Sequence, residues 1–307
     1  YTPEDADELA KAERIYAAQV FTAPTDGYYM IKGATVNNTM TAPINVRIRK
    51  NGQTIDGALD EVYSTTFTYN TMGIELKAGD MLSFETGYKA VDGVVTLSTG
   101  GVVDWTPIVV YCGKDTYKST DKYPSAVTND GAWESGIWSA KLYDPVESKF
   151  YPMTATGSAA NRFTISTDFA ESATSKTAYN MYHGAMVISG TEMWPTRATD
   201  SKTDKTAEVA KRGYVAIVFT APKSGLVKIS GGTVSNSLTN NAVIARIRIN
   251  TEADALVSKN LAAANGSATY DDIFIEVNTG DMISYEAGID GAIVDCSGLV
   301  SWQKPEI

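Results

Sequence analysis

The sequence predicts an all-β protein of two antiparallel, jelly-roll-like β-sandwich lobes, and three observations carry that reading. One motif recurs: Phe21-Thr22-Ala23-Pro24-Thr25-Asp26-Gly27 returns as Phe219-Thr220-Ala221-Pro222-Lys223-Ser224-Gly225. Short runs alternate apolar and polar residues with period two, as half-buried strands do. Gly, Pro and Asn punctuate those runs at regular intervals, the pattern of a sandwich or barrel.

The repeat extends beyond the turn. Upstream, Tyr16-Ala17-Ala18-Gln19-Val20 matches Tyr214-Val215-Ala216-Ile217-Val218. Downstream, Arg47-Ile48-Arg49 matches Arg246-Ile247-Arg248, and Gly79-Asp80-Met81-Leu82-Ser83-Phe84-Glu85 matches Gly280-Asp281-Met282-Ile283-Ser284-Tyr285-Glu286. Trp105 and Trp302 close the two copies. A repeat of such long period means two similar domains and not a solenoid. The expected division is a first lobe at 1–112 and a second at 113–307, the latter with a Trp- and Tyr-rich front segment at 113–213.

Taken in order, residues 4–14 read as a helical turn or a charged loop, and 203–212 read alike. Strand character begins at Ile15. Pro24-Thr25-Asp26-Gly27 is a turn in which proline presets φ and glycine supplies the positive-φ position. In the next strand, Tyr29 and Ile31 match Val227 and Ile229 and so face the core. Tyr28 and Met30 match Leu226 and Lys228, which places the variable pair outward. Val46-Arg47-Ile48-Arg49 alternates strictly and runs into Asn51-Gly52, a hairpin signal. Leu82 and Phe84, like Ile283 and Tyr285, point inward. Between the copies, residues 137–143 and 149–153 read as strands, and 179–194 as another strand ending in a Met-Trp-Pro corner. One economical reading is that these complete the second lobe; the first is then either naturally shorter or was cut just inside its start.

An apolar share of 43% against 20% charged describes a folded chain. Its net charge of −10 repels phosphate backbones and anionic membrane surfaces, which excludes nucleic acid and membrane as partners. No apolar run approaches the roughly 20 residues of a membrane-spanning helix. A neutral ligand is the natural complement. Cys112 and Cys296 occupy unlike places in the two copies and read as free buried thiols. The chain starts at Tyr1 with neither methionine nor leader, and so reads as a piece of a larger multidomain protein. With abundant Thr, Ser, Asn and Gly, it suits a secreted module of a bacterial surface.

Catalysis has little support. His183 is the sole histidine, no Gly-x-Ser-x-Gly elbow accompanies it, and neither a zinc-ligand spacing nor a phosphate-binding glycine loop occurs. No metal or cofactor is expected. Asp80 and Asp281 follow a turn glycine and read as turn residues. Glu85 and Glu286 read as outward-facing partners of the Arg-Ile-Arg arginines across the sheet.

Aromatic residues are the stronger signal, with 17 Tyr and 5 Trp. Flat rings bury the C–H faces of sugars while amides and hydroxyls satisfy the rim. Because Trp105 and Trp302 recur in both copies, they read as core. Trp133, Trp138, Trp194, Tyr117, Tyr123 and Tyr182 belong only to the front segment, where they are candidate ligand contacts. Trp133 and Trp194 are the better platforms, and Trp138 leads an alternating strand. Tyr28, outward on its strand, joins them. Core packing competes with binding for each of these rings.

The residues 138–144, 150–154, Pro195, 219–225, 246–248, 280–286 and Trp302 together resemble a β-sandwich module found beside secreted polysaccharide-active proteins of Gram-positive gut bacteria. In tandem, the chain resembles the bilobed starch-binding domain of the starch adherence system proteins of amylosomes. That resemblance covers nearly the whole chain through scaffold motifs. It implies a noncatalytic, secreted, cell-surface domain that holds starch, amylopectin or malto-oligosaccharides, α-1,4-glucan, in a groove between the lobes. The rival reading is a structural or adhesin β-sandwich repeat that binds another polysaccharide or a protein.

Overall fold

The computed structural model describes residues 16–55, 61–63, 65–89, 91–92, 100–121, 132, 136–145, 147–155, 163–165, 186–195, 213–290, 299–303 and 305–307. It divides into two compact units, Tyr1–Asp115 and Thr116–Ile307. Every regular element among the described residues is a strand. The protein is all-β.

The first unit contains β1 (Tyr16–Thr22), β2 (Gly27–Ile31), β3 (Ala34–Asn38), β4 (Ile44–Lys50), β5 (Gln53–Thr54) and β6 (Glu61–Tyr63). It continues with β7 (Thr66–Tyr69), β8 (Met72–Leu76), β9 (Met81–Tyr88), β10 (Val103–Asp104) and β11 (Val109–Gly113). One sheet runs β1-β9-β4-β5 with β6 on β4; the others run β11-β2-β8 and β10-β3-β7. All pair antiparallel, with Arg47 opposite Glu85 and Phe21 opposite Leu82. Inward residues of the three sheets, including Tyr29, Ile31, Val36, Ile48, Leu76, Leu82, Phe84 and Trp105, form one core. That is a sandwich, made by period-two alternation along each strand.

The second unit opens with β12 (Trp138–Asp144), β13 (Lys149–Ala155), β14 (Phe163–Ile165), β15 (Met186–Val187) and β16 (Glu192–Trp194). It continues with β17 (Tyr214–Thr220), β18 (Gly225–Ile229), β19 (Gly232–Asn236), β20 (Ala242–Ile249) and β21 (Val257–Leu261). Its last strands are β22 (Gly266–Tyr270), β23 (Ile273–Val277), β24 (Met282–Asp290) and β25 (Val300–Trp302). Strands β17, β24 and β20 pair as β1, β9 and β4 do, and β25, β19 and β22 pair as β10, β3 and β7 do. The added feature is β12 to β16. They run from the edge of β17 round to the edge of β25, in the order β17-β12-β13-β14-β15-β16-β25. Their Leu142, Met153, Phe163, Val187 and Met193 join the second core.

Turn chemistry follows the sequence closely. Asn51 (φ 48°) and Gly52 (φ 82°) take the left-handed conformations that a tight hairpin between β4 and β5 demands. Asp80 accepts the backbone N–H of Lys77 at 2.9 Å and Nδ2 of Asn51 at 2.8 Å. Asp281 does the same with Asn278 at 2.7 Å and Asn250 at 3.0 Å. Both carboxyls are held below the usual range, first by the backbone N–H and then by the asparagine; that of Asp80 falls to about 2. Cys112 is half-buried, its Sγ 3.6 Å from the Val110 carbonyl, and Cys296 lies outside the described residues, as do 4–14 and 203–212.

Two expected orientations are corrected. Met30 is buried and not outward: β2 is the middle strand of its sheet, and Val110 stands opposite Met30 on β11. Glu85 and Glu286 meet the arginines, yet both are buried. Long side chains lying flat over the sheet cover them, as the next section describes.

Candidate functional site

Arg-Ile-Arg on a strand sends the isoleucine to the core and both arginines to the opposite face. In the first unit Arg47 Nε donates to Glu85 Oε2 at 2.5 Å, and Arg49 Nη1 lies 3.8 Å from the same oxygen. Ser83 Oγ donates to Glu85 Oε1 at 2.6 Å. The Arg47 guanidinium stacks 3.5 Å from the Tyr16 ring, and Asn45 Nδ2 donates to the Tyr16 hydroxyl at 3.3 Å. The Asn45 Oδ1 beside it is buried without a hydrogen-bond partner.

The second unit repeats the arrangement and closes it. Arg246 grips Glu286 Oε2 through Nη2 at 2.7 Å and Nε at 2.9 Å. Arg248 Nε donates to Glu286 Oε1 at 3.2 Å, and Ser284 Oγ donates there at 2.8 Å. The Tyr214 ring lies 3.4 Å from Arg246, and Tyr143 of β12 lies over Arg248 at 4.5 Å. Arg248 also donates to the carbonyls of Glu252 and Ala253. Burial pushes the Tyr214 hydroxyl above its ordinary range. Accessibility separates the two copies: the arginine side chains are 20% and 31% exposed in the first unit but 14% and 2% in the second. The open copy offers a ring, donors and acceptors to solvent.

Of the residues singled out from sequence, Trp133, Tyr123 and Tyr182 lie outside the described residues, as does His183. Trp138 is core and presents no free face. It is 2% exposed, with Phe219 at 5.4 Å and Tyr285 at 6.3 Å from its ring. Tyr117 is half-buried against Phe219 at 5.5 Å. Trp194 sits half-buried on β16, packed on the same core, its indole N–H buried and without a hydrogen-bond partner. Tyr28 is half-buried on β2 opposite Glu75 and Gly113. Tyr117, Trp138 and Trp194 therefore pack on one core, Trp138 enclosed by it and Tyr117 and Trp194 with part of their surface left to solvent. Trp105 and Trp302 are core, as expected.

Tyr16 and Tyr214 were not candidates from sequence, although a signal exists. Each precedes its Phe-Thr-Ala-Pro motif at the same spacing, and each strand carries the tyrosine on the face opposite its core. Among the described residues, no three His, Cys, Asp or Glu side chains gather as a metal site.

No family model matches the sequence, and no curated protein matches it. Among solved structures, the isomalto-dextranase of Arthrobacter globiformis T6 complexed with panose aligns over 95% of this chain and 34% of its own. The identity is 10% and the TM-score 0.22, so this chain spans about a third of that enzyme's length. Vicilin from Solanum lycopersicum (tomato) aligns over 97% of this chain and 78% of its own, at 7% identity and a TM-score of 0.12. Likenesses this distant bear on neither ligand nor activity.

Proposed function

We propose that the chain is a noncatalytic carbohydrate-binding protein that holds a starch-like α-1,4-glucan. The observation that supports this best is the open face of the first unit. There the half-exposed Tyr16 ring lies beside Asn45, Arg47, Arg49 and Glu85. A sugar ring offers a C–H face and a rim of hydroxyls that both donate and accept. Arg47 covers one face of Tyr16, so the sugar stacks on the other, and the arginines and Asn45 bond its hydroxyls. A net charge of −10 opposes anionic ligands and leaves a neutral glycan unhindered. A secreted, cell-surface setting within a larger protein belongs to the same proposal, as does kinship with the amylosome starch-binding domains.

Native electrophoresis through amylopectin-containing gels tests it. The protein is retarded relative to a gel without glucan, and Tyr16→Ala relieves the retardation, since truncating a stacked hot-spot ring costs over about 1 kcal/mol. Migration unchanged by amylopectin sinks the proposal. Retention by Trp133→Ala of full retardation places the site on the first unit and not on the front segment.

A further inference from the structure

Two turns carry an asparagine followed by a glycine, Asn51-Gly52 after β4 and Asn265-Gly266 at the start of β22. The backbone calls for that pair in both places. Asn51 (φ 48°) and Asn265 (φ 81°) take the left-handed conformation, which asparagine and glycine tolerate better than other residues. Both asparagines are exposed, so access to water does not separate them. Hydrogen bonding does.

Asn51 is clamped. Its Nδ2 donates to Asp80 Oδ1 at 2.8 Å, and its Oδ1 accepts the Met81 N–H at 2.9 Å. The clamp belongs to the turn itself, since Asn250 makes the same two bonds, with Asp281 at 3.0 Å and Met282 at 2.8 Å. There threonine follows in place of glycine. Asn265 has no such holder. Its backbone N–H bonds the Asn236 carbonyl at 2.9 Å, while its side chain makes no hydrogen bond among the described residues. Glycine beyond it has no side chain to shield the amide nitrogen that could attack the asparagine carboxamide.

We infer that Asn265 is a site of spontaneous deamidation, and that the Asp80 clamp protects Asn51 from the same reaction. The Gly266 amide nitrogen gives its proton to a base and attacks Cγ of Asn265. The N–Cγ bond forms, the Cγ–Nδ2 bond breaks, and Nδ2 departs as ammonia after taking a proton from solvent. Water then opens the cyclic imide at either carbonyl, leaving aspartate or isoaspartate and a new negative charge. The isoaspartyl product adds a methylene to the main chain beside Gly266, where the turn is tight: a Cβ there would lie 2.3 Å from the Ala262 carbonyl oxygen. Conversion therefore loosens the connection between β21 and β22 and ages the second unit ahead of the first. At Asn51 the clamp also opposes the product, because a new carboxylate would face that of Asp80. This site does not rest on the glycan reading.

The test incubates the full folded chain in mildly alkaline buffer and follows both asparagines by peptide mapping and mass spectrometry. Aspartyl and isoaspartyl products accumulate at Asn265 roughly 25-fold faster than at Asn51, where two hydrogen bonds worth about fivefold each must open first. Asp80→Ala frees Nδ2 of Asn51 and speeds conversion there about fivefold, leaving the rate at Asn265 unchanged. In denaturant the clamp is gone, and the two sites convert at similar rates. Conversion at Asn51 as fast as at Asn265 in the folded chain overturns the inference. An Asn265 that stays intact in the folded chain but converts in denaturant also overturns it, by showing a turn too stiff to close the imide ring.

Discussion

Arg248 and Glu286 form an ion pair from which water is excluded: Nε lies 3.2 Å from Oε1, and the side chains are 2% and 0% exposed. The equivalent Arg49 and Glu85 are 3.8 Å apart and partly solvated. Removing one member of a buried pair strands the other charge, at a cost of roughly 3–5 kcal/mol, whereas a solvated pair is worth about 0–1 kcal/mol. Calorimetry on Glu286→Ala therefore shows a large fall in the melting temperature of the second unit. Glu85→Ala lowers that of the first by less, because Arg47 and Arg49, 20% and 31% exposed, keep access to water when the carboxylate is removed. Equal shifts contradict the burial argument.

Acid has a predictable effect on the two turn aspartates. Each has a folded pKa held below its unfolded value near 3.9, that of Asp80 at about 2. A depressed carboxyl contributes stability that is present above the unfolded value and is lost as pH falls through the folded one. Between pH values of about 4 and about 2, wild-type protein loses stability that Asp80→Asn does not lose, the folded value being that of Asp80. Urea midpoints measured across that window check the sign.

Trp138 tests core against platform. With its ring enclosed by Phe219 and Tyr285, Trp138→Ala costs about 3–5 kcal/mol of stability, as large-to-small core changes do. Glucan affinity measured below the melting transition stays unchanged. A variant that folds as well as wild type but binds less glucan contradicts the core assignment.

Lys141 carries a charge that its surroundings oppose. Its ammonium lies 3.6 Å from Sδ of Met282, no carboxylate among the described residues pairs with it, and burial lowers its pKa. Burial thus opposes the charged form at neutral pH, a cost that fades only as the pH rises toward the unfolded lysine value. Lys141→Met raises the denaturation midpoint of the second unit at pH 7, and the gain shrinks at alkaline pH.

The strands were legible because alternation is local. Trp138, Ala140 and Leu142 share one parity, which already assigns the tryptophan to the face of the core. Turn aspartates were legible for the same reason: Asp80 bonds a backbone three residues away. Burial of Glu286 was not legible, because Tyr143, Tyr214 and the carbonyls of Glu252 and Ala253 come from other strands and a loop. Periodicity reports which face a residue takes, not what lies across it. Met30 was misplaced on that account, and Tyr16 was passed over because its importance lies in the arginine stacked on it.

The exposure of β1 residues 17–20 is matched by the side chains they carry. Where β17 holds Val215 and Ile217 against β12, β1 holds Ala17 and Gln19, and Gln19 bonds the Trp105 carbonyl at 3.1 Å. An aliphatic side chain gains nothing where it stays in contact with water. Ala17 and Gln19 thus suit strand positions left in water, as Val215 and Ile217 suit positions sealed beneath a neighbour.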